Sequence, residues 1–259
     1  DARMINKKKA TILVAALVVL AIAAMIILFK GEAAAVQAPP AKPEARPTPA
    51  IVGQPMPDFT LPVYQGGTLA LSSLRGKNVL LLFPRGYAAE NYWCTICNYR
   101  YVELAELEKA RKIREKYNVE VLVVFPYGRE VVKSWLEALP SQLQTIKAAK
   151  FPADPDKLDE AGRRKMVRWR AFFPQDFVLE KGELLAPFPV LIDADRAVSK
   201  ALGLFQTDWT GGKVDQNIPS VFIVDKAGVL RFKYIAQNTV DRPSHEYLFK
   251  VLEFINAQD

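Results

Sequence analysis

The side chains with the most chemistry to offer are two thiols three positions apart, Cys94 and Cys97, in the stretch NYWCTIC (91–97). They are the only cysteines, and His245 is the only histidine. Such a pair can be a redox dithiol, half of a metal site, a haem anchor or a structural bridge. Covalent haem needs His directly after the second Cys, and residue 98 is Asn. Structural zinc wants four ligands, and Cys94, Cys97 and His245 make three. No metal site and no cofactor is therefore expected. A bridge across two residues closes a tiny loop, removes little unfolded-state entropy and is a poor staple. Redox chemistry explains the spacing better. Cys94 falls just before a predicted helix, where unpaired N–H groups and the macrodipole favour a thiolate. This makes Cys94 the expected accessible nucleophile and Cys97 the resolving thiol.

The compartment bears on that chemistry. Residues 10–29, ATILVAALVVLAIAAMIILF, carry no charge and as a helix would span about 30 Å, a bilayer core. Lys7, Lys8 and Lys9 precede them, so the positive-inside rule puts residues 1–9 in the cytoplasm and exports the rest. A cleaved signal peptide ending near Ala33–Ala35 is the rival reading, but its apolar region is usually only about 7–15 residues. The expectation is a single-pass membrane protein with a periplasmic or extracellular body. Residues 30–50 are rich in Ala and Pro and read as a semi-rigid tether. Residues 1–50 hold seven Lys or Arg against three acids, leaving 28 against 25 beyond them. A body so balanced gives no electrostatic case for nucleic acid.

Residues 51–259 alternate strands and helices. NVLLLFP (78–84) and VEVLVVFP (119–126) are continuous apolar runs, the mark of strands buried on both faces. The predicted helices are 95–117, with Val102, Ala110, Ile113 and Tyr117 on one stripe; 129–139, ended by Pro140; 196–203; and 244–257. FPVLID (188–193) predicts a short strand, and SVFIVD and VLRFKYI (220–225 and 229–235) a hairpin around Lys226–Gly228. Residues 140–187 break the rhythm and read as an insertion with one helix near Asp159–Phe173, either a lid or docking surface or a passive excursion. The pattern is an α/β layered domain with a mixed sheet.

Several segments together resemble the thioredoxin-like superfamily, more closely a peroxiredoxin-like redoxin of the alkyl hydroperoxide reductase/thiol-specific antioxidant type. They are VGQPMPDFTLP (52–62), GGTLALSSLRGKNVLLLFPRG (66–86), WCTIC with NYRYVELAEL, FPVLIDADRAVSKALGL (188–204), NIPSVFIVDKAGVLRF (217–232) and NTVDRPSHEYLFKVLEFI (238–255). The resemblance implies a central mixed sheet with helices on both faces. It also implies a cis peptide at Ile218-Pro219 facing the cysteines, leaving the Ile218 backbone free to pair with substrate. The sequence departs from the pattern in Thr95-Ile96 between the cysteines, and in YAAENY between Arg85-Gly86 and Trp93-Cys94. Arg85 and Arg231 are the candidate cations for lowering the Cys94 pKa or holding a peroxide, set against ordinary surface or strand-end arginines. Trp93 is expected to shield the site. Glu90 reads as a proton shuttle or an exposed loop carboxylate.

Two functional classes follow. One is a membrane-anchored, extracytoplasmic thiol–disulfide oxidoreductase or peroxiredoxin-like enzyme acting on a protein thiol/disulfide or a small peroxide. The other is an accessory subunit of a larger membrane complex, with the redoxin fold used for docking.

Overall fold

The computed structural model describes residues 50–179 and 185–258. The basic tail, the expected span at 10–29 and nearly all of the tether lie outside them. Among the described residues no helix is long and apolar enough to cross a membrane.

In chain order the strands are β1 (Thr60–Pro62), β2 (Thr68–Ala70), β3 (Asn78–Phe83), β4 (Tyr87–Ala89), β5 (Tyr92–Trp93), β6 (Val119–Phe125), β7 (Val190–Ile192), β8 (Phe205–Gln206), β9 (Gln216–Asn217), β10 (Ser220–Val224) and β11 (Leu230–Ile235). The helices are α1 (Thr95–Arg111), α2 (Ile113–Lys116), α3 (Arg129–Glu137), α4 (Leu139–Lys150), α5 (Glu160–Phe172), α6 (Ala197–Ala201) and α7 (His245–Asn256). Five strands form the central sheet in the order β11-β10-β3-β6-β7. β3, β6 and β7 are parallel, and β10 and β11 are antiparallel additions, so the sheet is mixed as expected.

The two-residue period of a strand divides the core in two. Leu80, Val121, Val123, Phe125 and Ile223 face one side, against Tyr101, Val102, Leu104, Trp135, Leu248 and Leu252 from α1, α3 and α7. Val79, Leu81, Phe83, Leu122, Val124 and Phe222 face the other. There the cover is lighter: Met56, Leu61 and Val63 of the N-terminal segment, then Leu71, Leu202 and Leu204. Both faces are dry, which is why β3 and β6 read as unbroken apolar runs.

Three sequence expectations change. The 95–117 helix is broken at Lys112, whose φ of 48° is left-handed, so α2 restarts out of phase. Ile113 and Tyr117 are buried from the new phase, while Ala110, placed on the same stripe, is exposed. Pro140 does not stop a helix in favour of a loop; it lies in the first turn of α4, where a missing N–H costs nothing. Among its described residues the insertion thus holds most of α4 as well as α5. α5, expected near 159–173, begins at Asp159, whose Oδ1 accepts from Gly162 N at 2.7 Å.

Candidate functional site

Strand β3 ends at Phe83, and Pro84, Arg85 and Gly86 lead off its C-terminal edge. YAAENY then folds outward as the β4–β5 hairpin, turning at Asn91 with φ 55°. Tyr87 and Trp93 stack across it at 3.9 Å between ring centroids. Cys94 N donates to Gly86 O at 2.8 Å, closing the excursion at its base. Six extra residues in sequence thus leave Cys94 beside Arg85-Gly86 in space. Gly86 has φ 74°, and a Cβ there would meet the Tyr127 ring at 2.4 Å, so glycine is required. The Tyr127 hydroxyl accepts from Tyr87 N at 3.0 Å and pins the hairpin from below.

Cys94 is the N-cap of α1, its sulfur accepting from Cys97 N at 3.4 Å. Cys97 lies one turn in, and the two sulfurs are hydrogen-bonded to each other at 2.6 Å. Both residues are buried. Their further contacts differ. Cys97 Sγ accepts from Arg85 N at 3.4 Å and faces the Arg242 guanidinium at 3.9 Å. Burial pushes the Cys97 thiol up, but the Cys94 hydrogen bond, the Arg242 charge and the Arg85 N–H outweigh it and bring the pKa down to about 6. Cys94 moves the other way: its bond to Cys97 and its burial raise it well above an ordinary thiol. The sequence made Cys94 the activated and accessible thiol; the geometry activates Cys97 and buries both. Each sulfur accepts one backbone N–H, but the Arg242 guanidinium lies against Cys97 Sγ, one turn inside the helix, rather than at its cap.

The sulfurs also face different spaces. Cys97 lines a cavity of about 70 Å³ with Arg100, Pro219, Ser220, Arg242 and His245. Behind it, Glu103 Oε2 lies 2.8 Å from Arg100 Nη1 and 2.9 Å from His245 Nδ1. Burial would raise the Glu103 pKa, but His245 and Arg100 more than offset it and hold the carboxyl below the usual range. Cys94 instead lines a groove of about 440 Å³ with Trp93, Thr95, Trp169 and Phe172.

The other expected residues divide. Arg85 is buried at the site, but it is its backbone that meets Cys97. Its guanidinium turns away to Gln216 Oε1 at 2.6 Å, to the carbonyls of Ala88 and Trp209, and over the Trp209 ring at 5.1 Å. Arg231 is not at the site; it pairs with the buried Asp225 carboxylate at 2.6 Å beside the β10–β11 turn, and lines neither space. Trp93 does border Cys94. Glu90 is exposed in the β4–β5 turn.

Pro219 borders the Cys97 cavity, but among the described residues there is no cis peptide bond, so Ile218-Pro219 is trans. Nor is the Ile218 backbone free. Its N–H donates to Leu204 O at 2.7 Å and its carbonyl accepts from Ser220 Oγ at 2.8 Å. The Pro219 carbonyl accepts from Ala236 N, so the segment runs straight into the sheet, with no tight turn to favour the cis form.

Sequence reasoning missed Arg242, Arg100, Glu103 and His245. Arg242 stood in the Arg-Pro tail already matched to the redoxin pattern. Only the fold shows that the loop after β11 returns it to the cysteines.

The chain matches the AhpC/TSA family over residues 52–233. It belongs to that family, and this bears out the reading as a peroxiredoxin-like thiol oxidoreductase. None of the curated proteins compared matches the sequence. Among solved structures, it is similar to a point mutant of peroxiredoxin 6 of Arenicola marina, at 14% identity and TM-score 0.53, over 81% of this chain and 76% of that one. A reduced 2-Cys peroxiredoxin of Plasmodium vivax also matches, at 16% identity and TM-score 0.49, over 80% of this chain and 97% of that one. The likeness to the Arenicola protein supports the fold.

Proposed function

We propose that this chain is a thiol peroxidase in which Cys97 attacks the peroxide and Cys94 resolves the product. The observation that carries it is the setting of Cys97 Sγ, held by Arg85 N–H, faced by Arg242 and open to a small cavity. That cavity holds several waters or a molecule of a few heavy atoms. The Cys97 thiolate attacks one peroxide oxygen, the O–O bond breaks, and the departing alkoxide or hydroxide takes a proton and leaves as alcohol or water. Cys97 becomes a sulfenic acid. Cys94, already in contact with it, then displaces water and forms the disulfide. Arg242 lowers the thiolate's energy and offers a donor to the peroxide. Arg100 and His245, beside Glu103, are the other charged or titratable side chains of a lining that is otherwise mostly apolar.

The same reading places the domain outside the cytoplasm, tethered by residues 10–29 and 30–50. Its support is the uncharged run and the lysines ahead of it. The full chain should stay with membranes after an alkaline wash, and a chain starting at residue 50 should not. Release of both would remove the tether from the account.

The enzymatic test is a single turnover. Reduced protein should consume one equivalent of peroxide and lose both thiols together. Protein that leaves peroxide untouched while keeping its fold would end the peroxidase reading.

A further inference from the structure

Peroxide reduction at Cys97 needs an acid. The oxygen that leaves is a strong base, and Cys97, reacting as its thiolate, has no proton to give it. Besides Cys97, five side chains lining the cavity carry a proton on nitrogen or oxygen. Arg100 and Arg242 keep theirs at any pH a protein meets. The Tyr101 hydroxyl donates to Leu185 O at 2.9 Å, and Ser220 Oγ donates to Ile218 O at 2.8 Å. His245 remains. It is the first residue of α7, set behind Ser244, whose Oγ accepts from Tyr247 N at 3.2 Å. Its Nδ1 lies 2.9 Å from Glu103 Oε2, and the two side chains are only 8% and 12% exposed. Glu103 is fixed in turn by Arg100, one turn back along α1, at 2.8 Å. The imidazole also stacks on Phe249, at 22° and 6.4 Å between centroids. With Nδ1 turned to Glu103, Nε2 is the other nitrogen, and nothing among the described residues hydrogen-bonds it.

We infer that His245 is a catalytic residue of the peroxide step: its Nε2–H protonates the departing oxygen, and Glu103 acts through it as a positioning residue. The inference rests on the peroxidase reading and adds the acid to it. The Cys97 thiolate attacks the terminal oxygen of ROOH, and the S–O bond forms as the O–O bond breaks. The terminal oxygen keeps its hydrogen, so the sulfur becomes a sulfenic acid, oxidised by two electrons, and the peroxide is reduced by two. RO⁻ takes the Nε2 proton and leaves as ROH; the neutral imidazole regains a proton from water once the product has gone. Glu103 serves this in two ways. It fixes the ring through Nδ1–H, and its carboxylate is the counter-charge when both nitrogens are protonated. Burial alone would favour the neutral carboxyl, but His245 and Arg100 keep it charged.

The test compares leaving groups in a single turnover of the reduced full chain, followed by stopped-flow fluorescence. Hydrogen peroxide and ethyl hydroperoxide expel hydroxide and ethoxide, which need a proton; peracetic acid expels acetate, a weak base that does not. His245→Gln should slow the first two about 100-fold and peracetic acid less than about threefold. Glu103→Gln should show the same selectivity at about tenfold. A merely structural role, or a raised Cys97 pKa, would slow all three oxidants alike. Equal losses across the three, or no loss with any, would overturn the proposal. If His245→Gln does not fold, Glu103→Gln decides alone by the same two outcomes. Wild-type protein inert with all three oxidants would sink the peroxidase reading and this inference with it; reactive wild-type protein whose variants lose no selectivity would sink this inference alone.

Discussion

The two cysteines lie in contact, yet they belong to different parts of the molecule. Cys97 faces inward, to a cavity walled by α1, the β3 and β10 strands of the central sheet, and the segment leading into α7. Cys94 borders a groove lined by Arg85, the extra hairpin, the start of α1, the inserted helix α5 and the loop after β11. The inner space is small and mostly apolar, with Arg100, Arg242 and His245 among residues such as Leu82, Phe83, Val221 and Leu248; the outer one is larger, aromatic and cationic.

The largest effect expected to break this contrast is at the sulfurs. Cys97→Ser should cut peroxide turnover by at least about a thousandfold in a steady-state assay with a thiol reductant. Cys94→Ser should keep the first oxidation and lose the disulfide that follows. Next comes Arg242→Met, which should raise the Cys97 pKa by about 1–3 pH units and slow the peroxide reaction about 10–100-fold, read by thiolate ultraviolet absorbance and stopped-flow kinetics. A wild-type-like pKa in that variant would show that Arg242 is a bystander.

The pH profile follows with its sign fixed. The thiolate is the reactive form and Cys97 titrates at about 6. The second-order rate with peroxide should climb about tenfold per pH unit below that value and flatten above it. The smaller effects are structural. Gly86→Ala forces a Cβ into Tyr127 in a left-handed backbone, and should cost about 1–3 kcal/mol in chemical denaturation. Arg231→Gln loses an ion pair with Asp225 remote from both spaces, and should leave peroxide kinetics unchanged.

The fold was legible where burial writes itself into composition. Strands covered on both faces appear as NVLLLF and VEVLVVF, and Asp159 marks the start of α5. The thiol pair and its place at a helix start were legible too. What spacing does not carry is where a loop returns. Arg231, in β11 beside the Lys226–Gly228 turn, was a candidate cation together with Arg85, but Asp225 claims it. Arg242, eleven positions on, reaches the sulfur because the chain turns back after β11. The same limit explains YAAENY: six residues that interrupt a motif in sequence are closed at their base by one Cys94–Gly86 hydrogen bond. The trans Ile218-Pro219 bond was lost for a similar reason, since the partners of Ile218 and Pro219 come from Leu204 and Ala236.

The most direct test of the division between the sulfurs is to trap the first oxidation product. Cys94→Ser and Cys97→Ser proteins are each given one equivalent of peroxide in the presence of dimedone, and the modified residue is identified by mass spectrometry. The account predicts rapid sulfenic-acid labelling of Cys97 in the Cys94→Ser protein and none of Cys94 in the other. Labelling of Cys94 in the Cys97→Ser protein, with Cys97 unlabelled in its counterpart, would contradict it.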